Sequence, residues 1–156
     1  MYLGLDLGTS GLKALLVDGA EKIVAESVAP LQVSRPQDGW VEQNPSDWFI
    51  ACENAIAALG VDLSQVQGIG LSGHMHGATL MNASGVPLRP CLLWNDTRAA
   101  VEAAELDADP LWRRISGNIV FPGFTAPKVE WVRRHEPDIF TQIDKVLLPK
   151  DTWYSL

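Results

Sequence analysis

The alternating pattern at the start of the chain constrains the fold most strongly. Between residues 2 and 7 every second position is leucine, and a period of two predicts a strand with one apolar face. Asp6 is then expected to point away from that face. Segments rich in apolar residues follow at 12–17 and 22–28, each preceded by a glycine-containing turn sequence. Together the three segments predict an antiparallel meander.

The rest of the chain alternates predicted helices and strands. Asn44 is typical of a helix N-cap and Gly60 of a helix end. The expected buried face of this helix consists of Trp48, Cys52, Ile56 and Leu59. Further strands are expected at 66–71, 78–81, 91–94 and 146–148, and further helices at about 97–106, 111–116, 127–135 and 151–156. No internal repeat is visible, so the sequence predicts one α/β domain whose last helix is interrupted at residue 156.

Composition excludes several classes of protein. Hydrophobic residues make up 47% and charged residues 20% of the 156 positions, which is enough to build a core and too apolar for a disordered chain. The formal net charge of −7 argues against a nucleic-acid partner. Residues 63–88 carry no Asp, Glu, Lys or Arg, but polar residues interrupt them too often for a membrane span, so they are expected to form buried strand and loop. Two cysteines and the absence of a secretion signal predict a cytoplasmic protein without disulfides.

The first candidate site is the hairpin at residues 8–11. Its glycines allow backbone N–H groups to approach an anion, and nearby hydroxyl, carboxylate and ammonium groups suit phosphate and a hydrated metal ion. Phosphoryl transfer depends mainly on such positioning and on charge neutralisation. The candidate residues are Asp6, Gly8, Thr9, Ser10, Gly11 and Lys13. The same sequence is also typical of a simple turn, since it lacks the strand-to-helix context of a P-loop.

A second candidate site is the loop at 72–77, Ser-Gly-His-Met-His-Gly. It follows the expected strand at 66–71, and ligands of α/β proteins tend to bind beyond the carboxyl ends of strands. Histidine can donate to or accept from a polyol hydroxyl, and Met75 can pack against a carbon skeleton. Two alternatives to a polyol-binding loop stay open. His74 and His76 could be metal ligands, or they could be histidines of a purely structural loop.

The opening segment resembles a known phosphate-binding motif. Residues 3–13, Leu-Gly-Leu-Asp-Leu-Gly-Thr-Ser-Gly-Leu-Lys, are similar to the first phosphate motif of the actin-like ATPase superfamily, and specifically of the FGGY carbohydrate kinases. The resemblance implies an actin-like, ribonuclease H-like α/β lobe with a mixed sheet and flanking helices. It also implies ATP and Mg2+ as cofactors. Residues 8–11 and Lys13 would bind the nucleotide, and Asp6 would be a catalytic residue that places Mg2+ through water.

Later segments resemble those family members that act on D-xylulose. The loop at 72–77 is similar to their Gly-Gln-Met-His-Gly loop, in which the Met-His pair contacts the sugar. That pair is Met75 and His76 here, and His74 stands where Gln is common. Residues 121–128 also resemble their pattern. A Trp-Asn-Asp stretch lies beside the sugar pocket in the family, which implies as further substrate-binding residues Trp94, Asn95 and Asp96.

The resemblance implies the N-terminal lobe of an ATP-dependent kinase that converts D-xylulose to D-xylulose 5-phosphate. The lobe would span residues 1–156. The second lobe and the catalytic base, which the family carries in a Gly-Gly-Asp-type motif, would lie outside it, so the isolated chain is expected to be inactive. Alternatives are a kinase for ribulose, gluconate or glycerol, and a non-catalytic sugar- or phosphate-binding module. A homodimer stays an open alternative for the assembly.

Overall fold

A computed structural model describes residues 1–152 of the chain. The strands are β1 (Tyr2–Leu7), β2 (Gly11–Val17), β3 (Ile23–Pro30), β4 (Glu42–Gln43), β5 (Gly68–Gly73), β6 (Thr79–Met81), β7 (Cys91–Leu92) and β8 (Lys145–Leu147). The helices are α1 (Pro45–Ala58), α2 (Ala100–Ala108), α3 (Pro110–Ser116), α4 (Thr125–His135), α5 (Pro137–Phe140) and α6 (Pro149–Thr152). The chain divides into two compact units, the first formed by Met1–Val33 and Asn44–His74, the second by Ser34–Gln43 and the residues from Met75 onward.

The first unit is built on a four-stranded mixed sheet. Its strand order is β3-β2-β1-β5, in which β1, β2 and β3 are antiparallel neighbours and β5 runs parallel to β1. The predicted meander is therefore confirmed. Leu3, Leu5 and Leu7 are at most 5% exposed, and α1 packs against β2 and β3. Asp6 is exposed on the opposite, open face, as the alternation predicted.

Helix α1 begins as predicted, but its buried face differs. Asn44 caps it, because its side-chain oxygen accepts from the Ser46 N–H at 3.2 Å. The buried positions along the helix and its C-cap are Pro45, Trp48, Ala51, Ala55 and Leu59. Cys52 and Ile56, which were expected on the buried face, are only half-buried. Small alanines face the sheet instead and allow close approach, so that the Ser27 hydroxyl donates to a helix carbonyl at 2.5 Å.

Strand β5 is shifted and more exposed than the sequence predicted. A buried strand was expected at 66–71, whereas β5 ends at Gly73 and its residues are half-buried or exposed. Ile69, for example, is 62% exposed. The prediction of burial was wrong because β5 lies at the edge of the four-stranded sheet. The shift places Ser72 inside the strand, in register with Asp6 of β1.

The second unit contains two small antiparallel sheets, β4-β7 and β6-β8. Its core cluster consists of Ala78, Leu80, Leu92, Ala99, Trp131 and Val132. The sequence pattern predicts neither β4 nor α5, because elements of two and four residues are too short to show a hydrophobic period.

Several boundaries in the second unit differ from the prediction. The strand expected at 91–94 ends at Leu92, since a turn follows in which the Asp96 N–H donates to the Leu93 carbonyl at 3.0 Å. Helix α2 begins at Ala100 instead of 97, and α4 begins at Thr125 instead of 127. The helix expected at 151–156 corresponds to α6 as far as it is described, and its last four residues lie outside the described residues.

The length and apolarity of the helices within residues 1–152 decide whether any of them could span a membrane. No helix in this part of the chain is both long enough and apolar enough to cross a bilayer.

Candidate active site

The hairpin at residues 8–11 joins β1 to β2 in the first unit. The Gly8 N–H donates to the Gly11 carbonyl at 3.0 Å, with Thr9 half-buried and Ser10 exposed at the tip. A Cβ added at Gly8 would lie 3.0 Å from the Gly11 oxygen, and one added at Gly11 would lie 2.9 Å from the Ala29 oxygen. Close backbone packing therefore favours glycine at both positions, within the hairpin at Gly8 and against the neighbouring strand β3 at Gly11.

A cleft of about 430 Å³ lies on the open face of the sheet. Strand register sets Asp6 of β1 opposite Lys13 of β2 and beside Ser72 of β5. A carboxylate, an ammonium and a hydroxyl therefore line the cleft at one level. Gly4 and Gly70 also line it, and a Cβ added at Gly70 would meet nothing within 4 Å. The cleft thus combines open space with three polar side chains in an otherwise apolar lining, and these three groups could contact a charged ligand.

The charge of Lys13 is available to such a ligand. Its Nζ pairs with Glu26 at 2.9 Å, and the two side chains are 48% and 56% exposed. Ion pairs this exposed contribute about 1 kcal/mol or less, because water screens them. A phosphate group can consequently replace Glu26 at little energetic cost.

Asp6 suits a metal ion that arrives with a nucleotide. Within residues 1–152, no group of three or more His, Cys, Asp and Glu side chains could hold a metal ion by itself. Mg2+ usually keeps several waters and binds through one or two carboxylates together with phosphate oxygens. A single exposed carboxylate in the cleft fits that mode of binding.

A cavity of about 320 Å³ in the second unit gathers most of the substrate-binding candidates. Its lining residues are His76, Trp94, Asn95, Asp96, Thr97, Phe121, Gly123 and Phe124. Aromatic walls with a few polar groups are typical of small-molecule sites. Met75 is 55% exposed and is not among the lining residues, so its contact with substrate stays a prediction.

The His76 ring is held at the cavity wall from several directions. Its backbone has φ of +65°, in the left-handed region that residues other than glycine rarely adopt. Its ring centroid lies 4.7 Å from that of Phe124, at an interplanar angle of 34°. Its carbonyl accepts a hydrogen bond from Lys128 Nζ at 2.8 Å. The backbone of His76 is therefore held by Lys128, and its ring packs against Phe124.

Asn95 offers the cavity an unused acceptor. Its Oδ1 is buried and has no hydrogen-bond partner among the described residues. Buried polar atoms nearly always have a partner, and leaving one without costs about 1–3 kcal/mol. The Asn95 side chain lines the cavity, but this oxygen is itself buried, so a ligand hydroxyl can bond to it only after the amide turns toward the cavity.

Asp96 anchors the loop that carries Trp94 and Asn95. Its side chain is fully buried, and Oδ2 accepts from the Val41 N–H at 2.6 Å and from Arg98 Nη2 at 2.7 Å. Oδ1 accepts from the Arg98 N–H at 3.0 Å. Because both oxygens already have partners within the protein, Asp96 supports the cavity wall, and its direct contact with substrate stays a prediction.

His74 belongs to the first unit. Its N–H donates to the Leu7 carbonyl at 2.9 Å, and its ring packs edge-on against Trp48 with centroids 5.8 Å apart. Burial lowers the pKa of His74 to about 4, although the charge of nearby Asp6 acts in the opposite direction. The imidazole is therefore neutral at physiological pH.

Sequence reasoning missed several residues at the cavity. Phe121, Gly123, Phe124 and Lys128 all lie in the segment 121–128, which resembles a family pattern but contains no predicted site residue. Lys128 lies on the same buried side of α4 as Trp131. A lysine at an apolar helix position was the available signal, because such positions normally carry hydrophobic side chains.

Comparison with known proteins decides the family. The profile of the FGGY family of carbohydrate kinases, N-terminal domain, matches residues 1–154. The chain belongs to this family. It is 53% identical over 154 residues to the xylulose kinase of Escherichia coli (strain K12), an alignment that covers 97% of the chain and 32% of that protein. The chain thus spans about a third of the length of the curated relatives it matches.

Solved structures of FGGY kinases share this fold. A xyloylose kinase from Brucella ovis superimposes with a TM-score of 0.94 at 61% identity, covering 98% of this chain and 33% of that one. A xylulose kinase from Rhodospirillum rubrum gives a TM-score of 0.89 at 30% identity, covering 96% and 32%. The expected actin-like α/β fold with a mixed sheet and flanking helices is confirmed.

Proposed function

We propose that this chain is the N-terminal lobe of an ATP-dependent kinase that phosphorylates D-xylulose to D-xylulose 5-phosphate. The relatives from Escherichia coli and Brucella ovis are named xylulose and xyloylose kinase, which supports this sugar. The observation that carries the proposal is the cavity of about 320 Å³ in which the unpartnered Asn95 Oδ1, the His76 ring and Trp94 come together.

Each of these groups has a role in the proposed sugar site. Trp94 is 49% exposed and supplies an apolar surface for the carbon skeleton. The Asn95 amide, once its buried Oδ1 is turned toward the cavity, accepts from one sugar hydroxyl, and the His76 ring hydrogen-bonds to another. Met75 contributes an exposed apolar side chain next to His76 in the sequence. A polyol therefore finds both hydrogen-bond partners and an apolar wall.

The proposed nucleotide site lies at the hairpin in the first unit. Residues 8–11 approach the phosphates of ATP with backbone N–H and hydroxyl groups, and Lys13 exchanges Glu26 for a phosphate oxygen. Mg2+, when bound, neutralises the phosphate charge that develops during transfer. Asp6 orients the hydrated ion through water.

The reaction transfers one phosphoryl group. The bond from the γ-phosphorus to the ADP oxygen breaks as a bond to the 5-hydroxyl oxygen of the sugar forms, and the hydroxyl proton passes to a general base. The 156 residues contain no Gly-Gly-Asp sequence, so we place this base elsewhere in the complete protein and expect the isolated chain to be inactive. A cytoplasmic location and a homodimer remain predictions.

The test uses the complete protein that includes these residues, with ATP, Mg2+ and D-xylulose, and measures ADP and the sugar phosphate. Asn95→Ala is expected to raise the KM for D-xylulose about five- to tenfold, since a hydrogen bond contributes about 1 kcal/mol. The KM for ATP should stay unchanged. Asn54→Ala, at an exposed position of α1, is the matched control. Absence of D-xylulose 5-phosphate with the wild-type protein would contradict the proposal.

A further inference from the structure

Lys128 is a lysine in an unusual place. Its side chain is fully buried, 0% exposed, on the side of α4 that also buries Trp131. Lysine is almost never fully buried unless its ammonium is paired, because removing the charge from water is costly. What the ammonium contacts therefore indicates why it is there.

Among residues 1–152, the ammonium donates hydrogen bonds to two backbone carbonyls at the cavity. Lys128 Nζ donates to the His76 carbonyl at 2.8 Å and to the Gly123 carbonyl. His76 and Gly123 both line the cavity but lie 47 positions apart in the chain, in separate loops. One buried side chain thus connects two loops, and each loop contributes residues to the lining of the cavity.

The His76 backbone needs such support. Its φ of +65° is unfavourable for a residue with a Cβ, and conformations of this kind persist only where surrounding contacts hold them. A hydrogen bond to the His76 carbonyl acts directly on the strained residue. The ring contact with Phe124, which follows Gly123, acts on the same loops.

We propose that Lys128 is a positioning residue for the sugar, which holds the His76 ring in the cavity by fixing the carbonyls of His76 and Gly123. Its role in turnover rests on the proposed function. Its role in holding His76 does not, because it follows from the contacts alone.

The protonation of Lys128 provides an independent readout. Burial lowers the pKa of Lys128 to about 8, while the negative charge of Asp96 acts to raise it and the positive charge of Arg98 acts to lower it. Cys91, the other titratable group beside Lys128, is a neutral thiol at this pH because its own pKa is about 12. Charge-assisted hydrogen bonds are about twice as strong as neutral ones. Deprotonation above pH 8 should therefore loosen the hold on His76.

The experiment compares Lys128→Met with wild type in the complete protein. Met removes the ammonium at similar length, and we expect the KM for D-xylulose to rise about tenfold or more with the KM for ATP unchanged within about twofold. Lys128→Gln keeps N–H donors without the charge and should give a smaller rise. Lys145→Met, at an exposed position of β8, is the control.

A binding measurement on the wild-type protein needs no variant. The Kd for D-xylulose should be about three- to tenfold weaker at pH 9 than at pH 7, and this dependence should vanish in Lys128→Met. An unchanged KM in Lys128→Met, or the same pH dependence in the variant as in wild type, would overturn the positioning role.

A last readout separates this inference from the proposed function. If the wild type phosphorylates no sugar, the proposed function fails, and the Cε1–H NMR signal of 13C-labelled His76 still reports on the ring beside Phe124. That signal should move in Lys128→Met and stay in place in Lys145→Met. An unmoved signal in Lys128→Met would refute the claim that Lys128 positions His76.

Discussion

Replacing Gly77 by alanine tests how the loop between β5 and β6, which carries His76, is packed. Gly77 follows His76 and is buried. A Cβ added to it would lie 2.5 Å from Pro149 Cγ, 2.8 Å from Pro149 Cδ and 3.1 Å from Cys91 Sγ. Real Cβ contacts essentially never fall below 3.0 Å, so something must move by about 0.5 Å. A proline ring has no flexible end, and Cys91 is completely buried, so both obstacles yield poorly.

The size of the effect follows from this geometry. Overpacking of a well-packed interior typically costs about 1–3 kcal/mol, and we expect Gly77→Ala to lower the free energy of unfolding by that amount. Because the neighbours yield poorly, the loop itself should shift and carry His76 with it. A misplacement of 1 Å can cost about a hundredfold in rate. About half that displacement should therefore lower kcat/KM for D-xylulose about tenfold.

Two measurements check this prediction in the complete protein, denaturant unfolding and steady-state kinetics with D-xylulose. Gly19→Ala is the matched control, because a Cβ added at Gly19 would meet nothing within 4 Å. The control should behave as wild type in both assays. If Gly77→Ala also matched wild type in stability and in kcat/KM, the packing argument for the loop would be refuted.

Three further predictions concern acidity, thiols and nucleotide affinity. Because the pKa of His74 is lowered to about 4 in the folded state, the free energy of unfolding should fall by up to about 3 kcal/mol as the pH drops from 6.5 to 4. Denaturant titrations should show a smaller fall in His74→Gln. An equal fall in the variant would contradict the role of His74 in this pH dependence. Burial raises the pKa of Cys91 to about 12, so a thiol reagent at pH 8 should modify half-buried Cys52 first, and faster labelling of Cys91 would contradict its burial. Lys13→Met should raise the KM for ATP several-fold at unchanged melting temperature, since its pair with Glu26 is exposed; an unchanged KM would remove Lys13 from the nucleotide site.

Local patterns predicted the meander of the first unit and the start of α1. The alternation of leucine predicted both β1 and the outward direction of Asp6, because strand periodicity is a property of the local backbone. Asn44 predicted the start of α1 because an N-cap hydrogen bond joins neighbours in sequence. Resemblance to family motifs selected His76, Trp94 and Asn95, which the structure brings together in one cavity.

Features that depend on distant contacts could not be predicted in this way. The exposure of Ile69 follows from the place of β5 at the sheet edge, which no local pattern encodes. The buried role of Asp96 depends on Val41, 55 positions away. Lys128 acts on His76 from 52 positions away. Each of these required the assembled structure, since the partner is set by topology and not by spacing.

Substrate preference tests the central claim most directly. The measurement is kcat/KM of the complete protein with ATP for D-xylulose, D-ribulose, gluconate and glycerol. The account predicts D-xylulose 5-phosphate as the product and a preference for D-xylulose of at least about tenfold, because hydroxyl partners such as Asn95 Oδ1 discriminate by position. A higher kcat/KM for any of the other three substrates, or no phosphorylation of D-xylulose, would contradict it.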